Sequence, residues 1–330
     1  MSLLERIRSL AIRAISVVAA LLAGVSVWAQ SESAIYLEPQ MVSPSVWYAQ
    51  GESALGSQAN KNFISNASFI VGKTGVVVVD ALGSPALATG LIQAIAKITS
   101  LKVTHVIVTH YHADHIYGLQ EFKKIGAKII AHPAATMYLH SDTAKHRLAA
   151  SRAELSPWID ENTQLIEADT WIDKDVSLNL SGVDLLIKNV GPAHTPEDLI
   201  VFFEGEKILF AGDLVFRGRI PFIGPTADTE PWIASLKTMQ DLNASAVVPG
   251  HGAAFKSAKE DIAQLKDYLS YLRTSMGKAV NDLDLFDEAY AATDWSRFEK
   301  LPLFRFANRM NAYNTYLQLL DEKMPRAHSK

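Results

Sequence analysis

The sequence predicts an α+β fold in which two β-sheets pack face to face and helices flank them. Short apolar runs typical of strands alternate with segments that carry apolar residues at helical spacing, and they do so in both halves of the chain. Single histidines and aspartates also recur directly after the apolar runs. We therefore expect polar side chains to gather at the carboxyl ends of the strands, where sheets of this kind bind ligands.

The first 29 residues have the pattern of a secretory signal peptide. Three arginines precede an apolar run at residues 14–25, and a small-x-small-like cleavage site follows at residues 27–29. The run is short for a membrane span, so an uncleaved N-terminal anchor is the second interpretation. We expect a periplasmic or secreted protein without stable membrane insertion after cleavage.

Composition limits the remaining possibilities. A chain of 330 residues with 48% hydrophobic content can bury a large core. A formal net charge of −4 without a long basic run argues against nucleic acid as the main partner. The partner that we expect is a small-molecule substrate. The chain has no cysteine, which excludes disulfides, thiolate ligands and a cysteine nucleophile.

The first half of the chain reads as a hairpin followed by a β-α-β unit. A short glycine-containing turn at residues 72–75 joins the two strands of the hairpin. Predicted strands lie at residues 35–42, 46–51, 67–71, 76–80, 103–108, 127–131 and 164–172. Predicted helices lie at residues 85–99, 117–125 and 134–155.

The second half repeats the alternation and ends in helices. Predicted strands lie at residues 176–180, 183–189, 199–203, 207–211 and 245–248, with a helix at residues 231–242. Apolar residues at helical spacing dominate residues 256–323. The predicted organisation is a signal peptide at residues 1–29, a main domain at residues 30–255 and a C-terminal helical extension at residues 256–330.

The motif that organises the chain follows the predicted strand at residues 103–108. It reads Thr109-His110-Tyr111-His112-Ala113-Asp114-His115. Because side chains alternate along a strand, His110 and His112 point the same way and can reach one cation. Asp114 and His115 are displaced into the next turn and can serve a second cation. Nitrogen and oxygen ligands without sulfur suit Zn²⁺, with Fe or Mn as alternatives.

Three further candidate ligands, His194, Asp213 and His251, each follow another predicted strand. With these seven residues in this order, the chain resembles the metallo-β-lactamase-fold hydrolase superfamily over about residues 35 to 255. The resemblance implies an αββα sandwich of two mixed sheets, with a catalytic site for two zinc ions at one edge. It also implies that His110, His112 and His194 hold the first metal, that Asp114, His115 and His251 hold the second, and that Asp213 bridges them.

This ligand set also makes chemical sense. Five neutral imidazoles and two carboxylates leave two divalent cations with excess positive charge, which favours a bridging hydroxide because metal lowers the pKa of bound water to about 7. The hydroxide can attack a carbonyl carbon while the metals stabilise the oxyanion. We therefore assign catalytic as well as metal-binding roles to Asp114 and Asp213.

The residue type at position 213 gives information on the class of substrate. The resemblance implies Cys or Ser at this position in zinc β-lactamases and a bridging Asp in glyoxalase II-like and lactonase-like hydrolases. Hydrolysis of a small ester, thioester or lactone is therefore the leading hypothesis. The alternatives are a β-lactam hydrolase, a mononuclear iron sulfur dioxygenase-like enzyme and a non-catalytic periplasmic metal-binding accessory protein. The overall arrangement is most similar to exported metallo-hydrolases of the quinoprotein relay system type.

Asp80 is the candidate supporting residue. It matches the superfamily's aspartate that orients the metal-ligand loop by hydrogen bonds without binding the metal itself. The alternative is that Asp80 is a turn residue at the end of its strand. Tyr117 stands where many relatives have a small residue, so it either shapes the site or packs on the helix. Arg217 and Arg219 either bind a substrate carboxylate or lie solvated on the surface.

Several segments are candidates for the walls of a substrate pocket. The loops at residues 52–62 and 217–232 are expected to shape it. Phe304, Phe306 and Tyr313 in the C-terminal helices either pack in the core or reach the pocket mouth.

Overall fold

The computed structural model describes residues 35–256 and 258–324. The predicted signal peptide at residues 1–29 lies outside this part of the chain. Among the described helices, none is both long and apolar enough to cross a membrane.

The first sheet contains seven strands in the order in which they occur along the chain. They are β1 Gln40–Ser43, β2 Val46–Ala49, β3 Ala67–Val71, β4 Val76–Val79, β5 Val103–Ile107, β6 Lys128–Ala131 and β7 Thr170–Trp171. Strands β1 to β4 pair antiparallel, and β4 to β7 pair parallel. The helical connection between β4 and β5 makes their parallel pairing possible.

The second sheet contains five strands in the order β12-β11-β10-β9-β8. They are β8 Val176–Leu180, β9 Val183–Asn189, β10 Leu199–Phe203, β11 Ile208–Phe216 and β12 Ala246–His251. Strands β8 to β11 pair antiparallel, whereas β11 and β12 pair parallel. Both sheets are therefore mixed, as predicted.

Helices lie between and after the strands. They are α1 Pro85–Ile98, α2 Ala113–Ile116, α3 Leu119–Lys124, α4 Ala135–Leu139, α5 Asp142–Leu155, α6 Thr229–Asp241, α7 Ala258–Asp282, α8 Phe286–Ala292 and α9 Phe304–Lys323. The side chain of Ser84 accepts a hydrogen bond from the backbone of Leu87 at 3.2 Å and so caps α1. Ser141 caps α5 in the same way, through the backbone of Ala144 at 3.1 Å.

The second sheet is buried on both faces. Alternate residues of β10 divide between two apolar clusters, because successive side chains of a strand point to opposite faces. Val201 packs between the sheets with residues such as Val77 of β4. Ile200 packs on the outer side with residues such as Trp232 of α6 and Leu269 of α7. The predicted two-sheet sandwich flanked by helices is confirmed.

Two element predictions were wrong in part. The strand predicted at residues 164–172 is reduced to β7. Just before β7, the backbone N–H of Asp169 donates to the carbonyl oxygen of Ile129 at 2.8 Å, and the Asp169 carboxylate accepts a hydrogen bond from the backbone of Ile129 at 2.9 Å. The Asp169 side chain thus takes one of the two hydrogen bonds that strand pairing would give to the backbone. The helical segment predicted at residues 134–155 is divided into α4 and α5, because Ser141 begins a new helix.

Strand β11 also runs further than predicted, to Phe216 instead of residue 211. Its register with β12 shifts between Phe210 and Gly212 and again between Gly212 and Phe216. Asp213 therefore lies inside an irregular strand, not after it. Irregularities of this kind redirect a side chain, and here they accompany the entry of Asp213 into the candidate site.

Candidate metal centre

The structure brings all seven predicted ligands together in two adjoining groups. The first group is His110, His112, His194 and Asp213, and the second is Asp114, His115 and His251. Within each group, one possible ligand atom per residue lies within 4.8 Å of the others.

The first sheet supplies four of the ligands from one short stretch. The chain leaves β5 after Ile107, and His110 follows in a buried segment without regular secondary structure. His112 is the N-terminal flanking residue of α2, and Asp114 and His115 lie within this single helical turn. The backbone carbonyl of Asp114 accepts a hydrogen bond from the hydroxyl of Ser65, which ties the turn to a neighbouring segment.

The second sheet supplies the remaining ligands from three positions. His194 lies in the loop after β9, Asp213 lies within β11, and His251 ends β12. Gly250 makes room for this convergence, because a Cβ atom there would meet Oδ1 of Asp213 at 2.0 Å. A side chain at position 250 would therefore displace the Asp213 carboxylate.

Short distances join the ligand atoms of the first group. Nδ1 of His112 lies 2.9 Å from Nε2 of His194. Oδ2 of Asp213 lies 3.4 Å from Nε2 of His194 and 3.8 Å from Nε2 of His110.

The second group is equally close. Oδ2 of Asp114 lies 3.7 Å from Nε2 of His115 and 3.4 Å from Nε2 of His251. Asp213 reaches this group as well, since its Oδ1 lies 3.1 Å from Nε2 of His115 and its Oδ2 lies 3.2 Å from Nε2 of His251. The Asp213 carboxylate thus lies between the two groups.

Hydrogen bonds from outside fix the orientation of two imidazoles. Nδ1 of His115 lies 2.9 Å from Oδ2 of Asp80, and Nδ1 of His251 lies 2.6 Å from the carbonyl oxygen of Ile64. Each partner accepts the Nδ1 proton, which leaves Nε2 free to bind a cation.

Asp80 holds the ligand loop at a second point. Its Oδ1 accepts a hydrogen bond from the backbone of Thr109 at 2.8 Å, and the hydroxyl of Thr109 donates to its Oδ2 at 2.9 Å. Asp80 adopts a φ of 63°, in the left-handed region that non-glycine residues rarely enter. This conformation directs its carboxylate to the supporting position expected from the sequence.

The protonation states of the first group suit a metal site. Burial and the neighbouring His194 lower the pKa of His112 to about 3. Burial, together with His115, lowers the pKa of His110 well below its ordinary value. Both imidazoles are therefore neutral, as metal coordination requires.

In the second group and at Asp213, neighbouring charged groups shift the pKa values more than burial does. Burial alone would lower the pKa of His115, but Asp213, Asp114 and Asp80 raise it well above its ordinary value. Burial alone would raise the pKa of Asp213, but His251 and His115 hold it well below. The ionised carboxylates therefore stabilise a positive charge at this point, which can be a proton on a histidine or a bound cation.

The donor set fits divalent metal. Nε2 of His110, Nε2 of His115 and Oδ1 of Asp213 are buried, and none has a hydrogen-bond partner of good geometry among the described residues. Unpaired buried polar atoms are costly, and a bound cation would satisfy all three. Imidazole and carboxylate ligands without thiolate suit Zn²⁺, with Fe or Mn also compatible.

A family model described as the Metallo-beta-lactamase superfamily matches residues 61–251, which is more than half of the chain. The chain belongs to the metallo-beta-lactamase superfamily. The predicted family and fold are confirmed, and so is the predicted enzyme class, since superfamily relatives are metal-dependent hydrolases.

Two curated relatives each match more than half of this chain. The 2,4-dinitroanisole O-demethylase subunit alpha of Nocardioides sp. (strain JS1661) is 26% identical over 183 residues, which are 55% of this chain and 51% of that protein. The chain thus spans about half the length of this relative. Metallo-beta-lactamase type 2 of Bacillus cereus is 27% identical over 202 residues, which are 60% of this chain and 71% of that protein.

Solved structures with the same fold extend the comparison. The metallo-beta-lactamase from Pontibacter korlensis aligns with a TM-score of 0.56 and 21% identity, over 71% of this chain and 99% of that one. The sec-alkylsulfatase Pisa1 from Pseudomonas sp. aligns with a TM-score of 0.66 and 16% identity, over 86% of this chain and 50% of that one. These likenesses establish the fold.

A cavity of about 450 Å³ opens over the superfamily's metal position. Five candidate ligands line it, namely His112, Asp114, His194, Asp213 and His251. Both predicted loops reach the cavity, through Leu55 in one and Phe222 in the other. Its size is that of a pocket for a small molecule.

Other residues singled out from the sequence lie elsewhere. Tyr117 is completely buried and lies outside the cavity lining, with its hydroxyl 3.5 Å from that of Ser151. It therefore packs beneath the site and does not block it. The three predicted C-terminal side chains, Phe304, Phe306 and Tyr313, are not part of this lining. Helix α9 reaches it instead through Met310, which was not predicted.

Neither of the two predicted substrate-binding arginines belongs to the cavity lining. Arg217 donates to the carbonyl oxygens of Ala253 and Ala254. Arg219 is only 3% exposed, and its guanidinium lies over the rings of Phe216 and Phe222. Arg219 is thus neither a solvated surface residue nor a residue of the pocket wall.

Sequence reasoning missed the polar face of α5. Four polar residues of this helix line the cavity, and none of them was singled out from the sequence. They are Thr143, Arg147, Ser151 and Glu154. The available signal was their spacing, because residues three, four or eight positions apart share one face of a helix.

Proposed function

We propose that this protein is an exported hydrolase that binds two zinc ions per chain and hydrolyses a small ester, thioester or lactone, by attack of water on the carbonyl carbon and cleavage of the acyl C–O or C–S bond. The observation that carries the proposal is the position of the Asp213 carboxylate between the two ligand groups. One of its oxygens lies 3.1 Å from His115, and the other lies 3.4 Å from His194. Because its two oxygens reach different ligand groups, this carboxylate could bridge two cations, which favours a site for two metal ions over a site for one.

The proposed roles follow from the donor types. When bound, the zinc pair would generate a hydroxide nucleophile from water near neutral pH and polarise the substrate carbonyl. The imidazoles hold the pair, and Asp80 and the carbonyl of Ile64 keep the rings of His115 and His251 in orientation. No side-chain nucleophile is needed.

Asp114 is the ligand best placed to act on the attacking water. Its side chain is 17% exposed, compared with 0% for His115 and 3% for His251. It lines the cavity, where its carboxylate can orient the water and accept its proton.

β-Lactam hydrolysis is the second candidate. The similarity to proteins named Metallo-beta-lactamase type 2 favours it. The carboxylate at position 213 favours the ester, thioester and lactone class, because the resemblance implies Cys or Ser there in the zinc β-lactamases.

A substrate panel tests the reaction. Protein shown by elemental analysis to hold two zinc ions would be assayed with p-nitrophenyl esters, acyl thioesters, small lactones and a chromogenic cephalosporin. We expect turnover in the first three groups that a chelator abolishes and zinc restores. Absence of turnover across the first three groups by the dizinc protein would contradict the proposal, and turnover of the cephalosporin alone would favour the second candidate.

Export is tested separately. Residues 1–29 fused to a reporter that is active only outside the cytoplasm should give reporter activity, and the same fusion without those residues should not. Cytoplasmic retention of the full chain would overturn this part of the proposal.

A further inference from the structure

Helix α5 forms one side of the cavity and contributes several polar side chains to it. Thr143, Arg147 and Ser151 are spaced four residues apart, so they lie one above another on a single face of the helix, and all three line the cavity. The buried positions of α5 are mainly apolar, as is normal for a helix that packs on a protein core, whereas Thr143 and Arg147 are exposed. These two polar side chains therefore lie at the open side of the cavity, where they can contact a polar ligand.

Arg147 differs from the other Lys and Arg residues of this helix. Lys145 pairs with Asp142 at 3.0 Å, and Arg152 donates to the carbonyl oxygens of Asp160 and Thr163 at 2.9 Å. Arg147 is exposed and forms no hydrogen bond or ion pair with any described residue. Its guanidinium is therefore available to a ligand in the cavity.

Arg147 lies on the same cavity as the candidate metal ligands. It shares the cavity lining with Asp114, His112 and Asp213. Its positive charge also acts on Tyr138, another residue of the lining, whose pKa it lowers against the larger opposing effect of burial. A ligand held at the metal centre in a cavity of about 450 Å³ is thus within the range of this cation.

We propose that Arg147 binds a carboxylate group of the substrate, so that the cavity selects esters, thioesters or lactones that carry a carboxylate over their neutral counterparts. A guanidinium matches a carboxylate in a two-point hydrogen-bonded pair. Glu154 lies on the same wall and adds a negative charge, which favours a singly charged group over a dianion such as a phosphate. This inference rests on the proposed function, because it takes the cavity as the place where the acyl substrate binds.

A binding measurement tests the inference without turnover. Calorimetric titrations would compare N-phenylsuccinamate, which carries a carboxylate, with N-phenylbutyramide, its neutral counterpart. Both would be titrated into zinc-loaded wild type, Arg147→Met and Arg147→Lys. Lys145→Met is the matched control, because it removes a cation from the same helix at a position outside the cavity lining. Zinc content would be measured for each protein.

We expect wild type and Lys145→Met to bind the anion more tightly than the neutral amide. Arg147→Met should reduce this preference by about 10- to 100-fold, the usual effect of losing a hydrogen bond to a charged group. Arg147→Lys should restore part of it. Because any coordination of the carboxylate to zinc is common to all four proteins, the difference between variants reports on Arg147.

The inference is overturned if wild type shows no preference for the anion, or if Arg147→Met keeps the wild-type preference with an unchanged zinc content. Hydrolysis of p-nitrophenyl hydrogen succinate and p-nitrophenyl butyrate separates this result from failure of the proposed function. If neither ester is cleaved while the binding preference depends on Arg147, the hydrolase proposal fails and the assignment of Arg147 stands.

Discussion

At the ligand end of the cavity, side chains are held by several partners, whereas on the α5 wall Arg147 has none among the described residues. His115 and His251 are almost completely buried, and each is oriented by an outer hydrogen bond of 2.9 Å or less. Arg147 is exposed on a helix face. In the proposed function, catalysis therefore depends on a rigid set of ligands, and selection among substrates depends on an exposed side chain without a partner among the described residues.

The largest expected effect contrasts two glycines, one at each part of the cavity. Gly250→Ala would place a Cβ atom 2.0 Å from Oδ1 of Asp213, and even a shift of about 1 Å can cost about 100-fold in rate. We expect a loss of that order in kcat/KM with reduced zinc content. Gly224→Ala is the control, because Gly224 lines the cavity and has no atom within 4 Å of the added Cβ.

Equal losses in the two glycine variants would contradict the comparison, since they would mean that the cavity wall is as intolerant as the ligand end. Thermal unfolding of both variants would show whether either change acts through global stability.

The next effect concerns Asp80, which supports the ligands from behind. Asp80→Asn keeps the shape of the side chain but weakens its hold on His115 and Thr109. We expect zinc affinity or activity to fall by about 10- to 100-fold, as for other outer partners of metal ligands. Competition with a chromogenic chelator would measure the affinity.

Asp184→Asn is the matched control for Asp80, because the Asp184 carboxylate bonds only to Asn179 among the described residues and lies on an exposed hairpin. If Asp80→Asn bound zinc as tightly as this control, the left-handed aspartate would be a structural turn residue, which is the alternative that the sequence left open.

The smallest effect is expected at Tyr117. Its hydroxyl makes one long contact with Ser151, and the ring lies beneath the site. Tyr117→Phe should lower the free energy of unfolding by at most about 1 kcal/mol and leave kcat/KM nearly unchanged. A large change in kcat/KM in this variant would contradict the placement of Tyr117 beneath the site and outside the cavity lining.

The sequence predicted the ligand end well and the wall poorly, for physical reasons. His110, His112, Asp114 and His115 follow a buried strand, and such a concentration of polar groups beside a core is unusual enough to indicate a site. Arg147 lies in a helix with other charged residues, where a solvated surface is the common outcome. Only the packing of the helix against the cavity distinguishes it.

Asp213 and the two other arginines show where local patterns fail. The pairing irregularity between β11 and β12 places Asp213 inside a strand, and no local feature of residues 207–213 indicates it. Arg217 and Arg219 looked equivalent in the sequence, yet Arg219 is buried between two phenylalanine rings. Burial of this kind depends on segments that are distant in the chain.

The measurement that tests the central claim most directly is the metal content of wild type and Asp213→Ala, determined by elemental analysis on protein purified in parallel. We predict about two zinc ions per chain in wild type and about one or fewer in the variant, because Asp213 contacts both ligand groups. A single metal ion per chain that is unaffected by the loss of Asp213 would contradict the bridged centre, and iron in that position would favour the mononuclear oxygenase alternative.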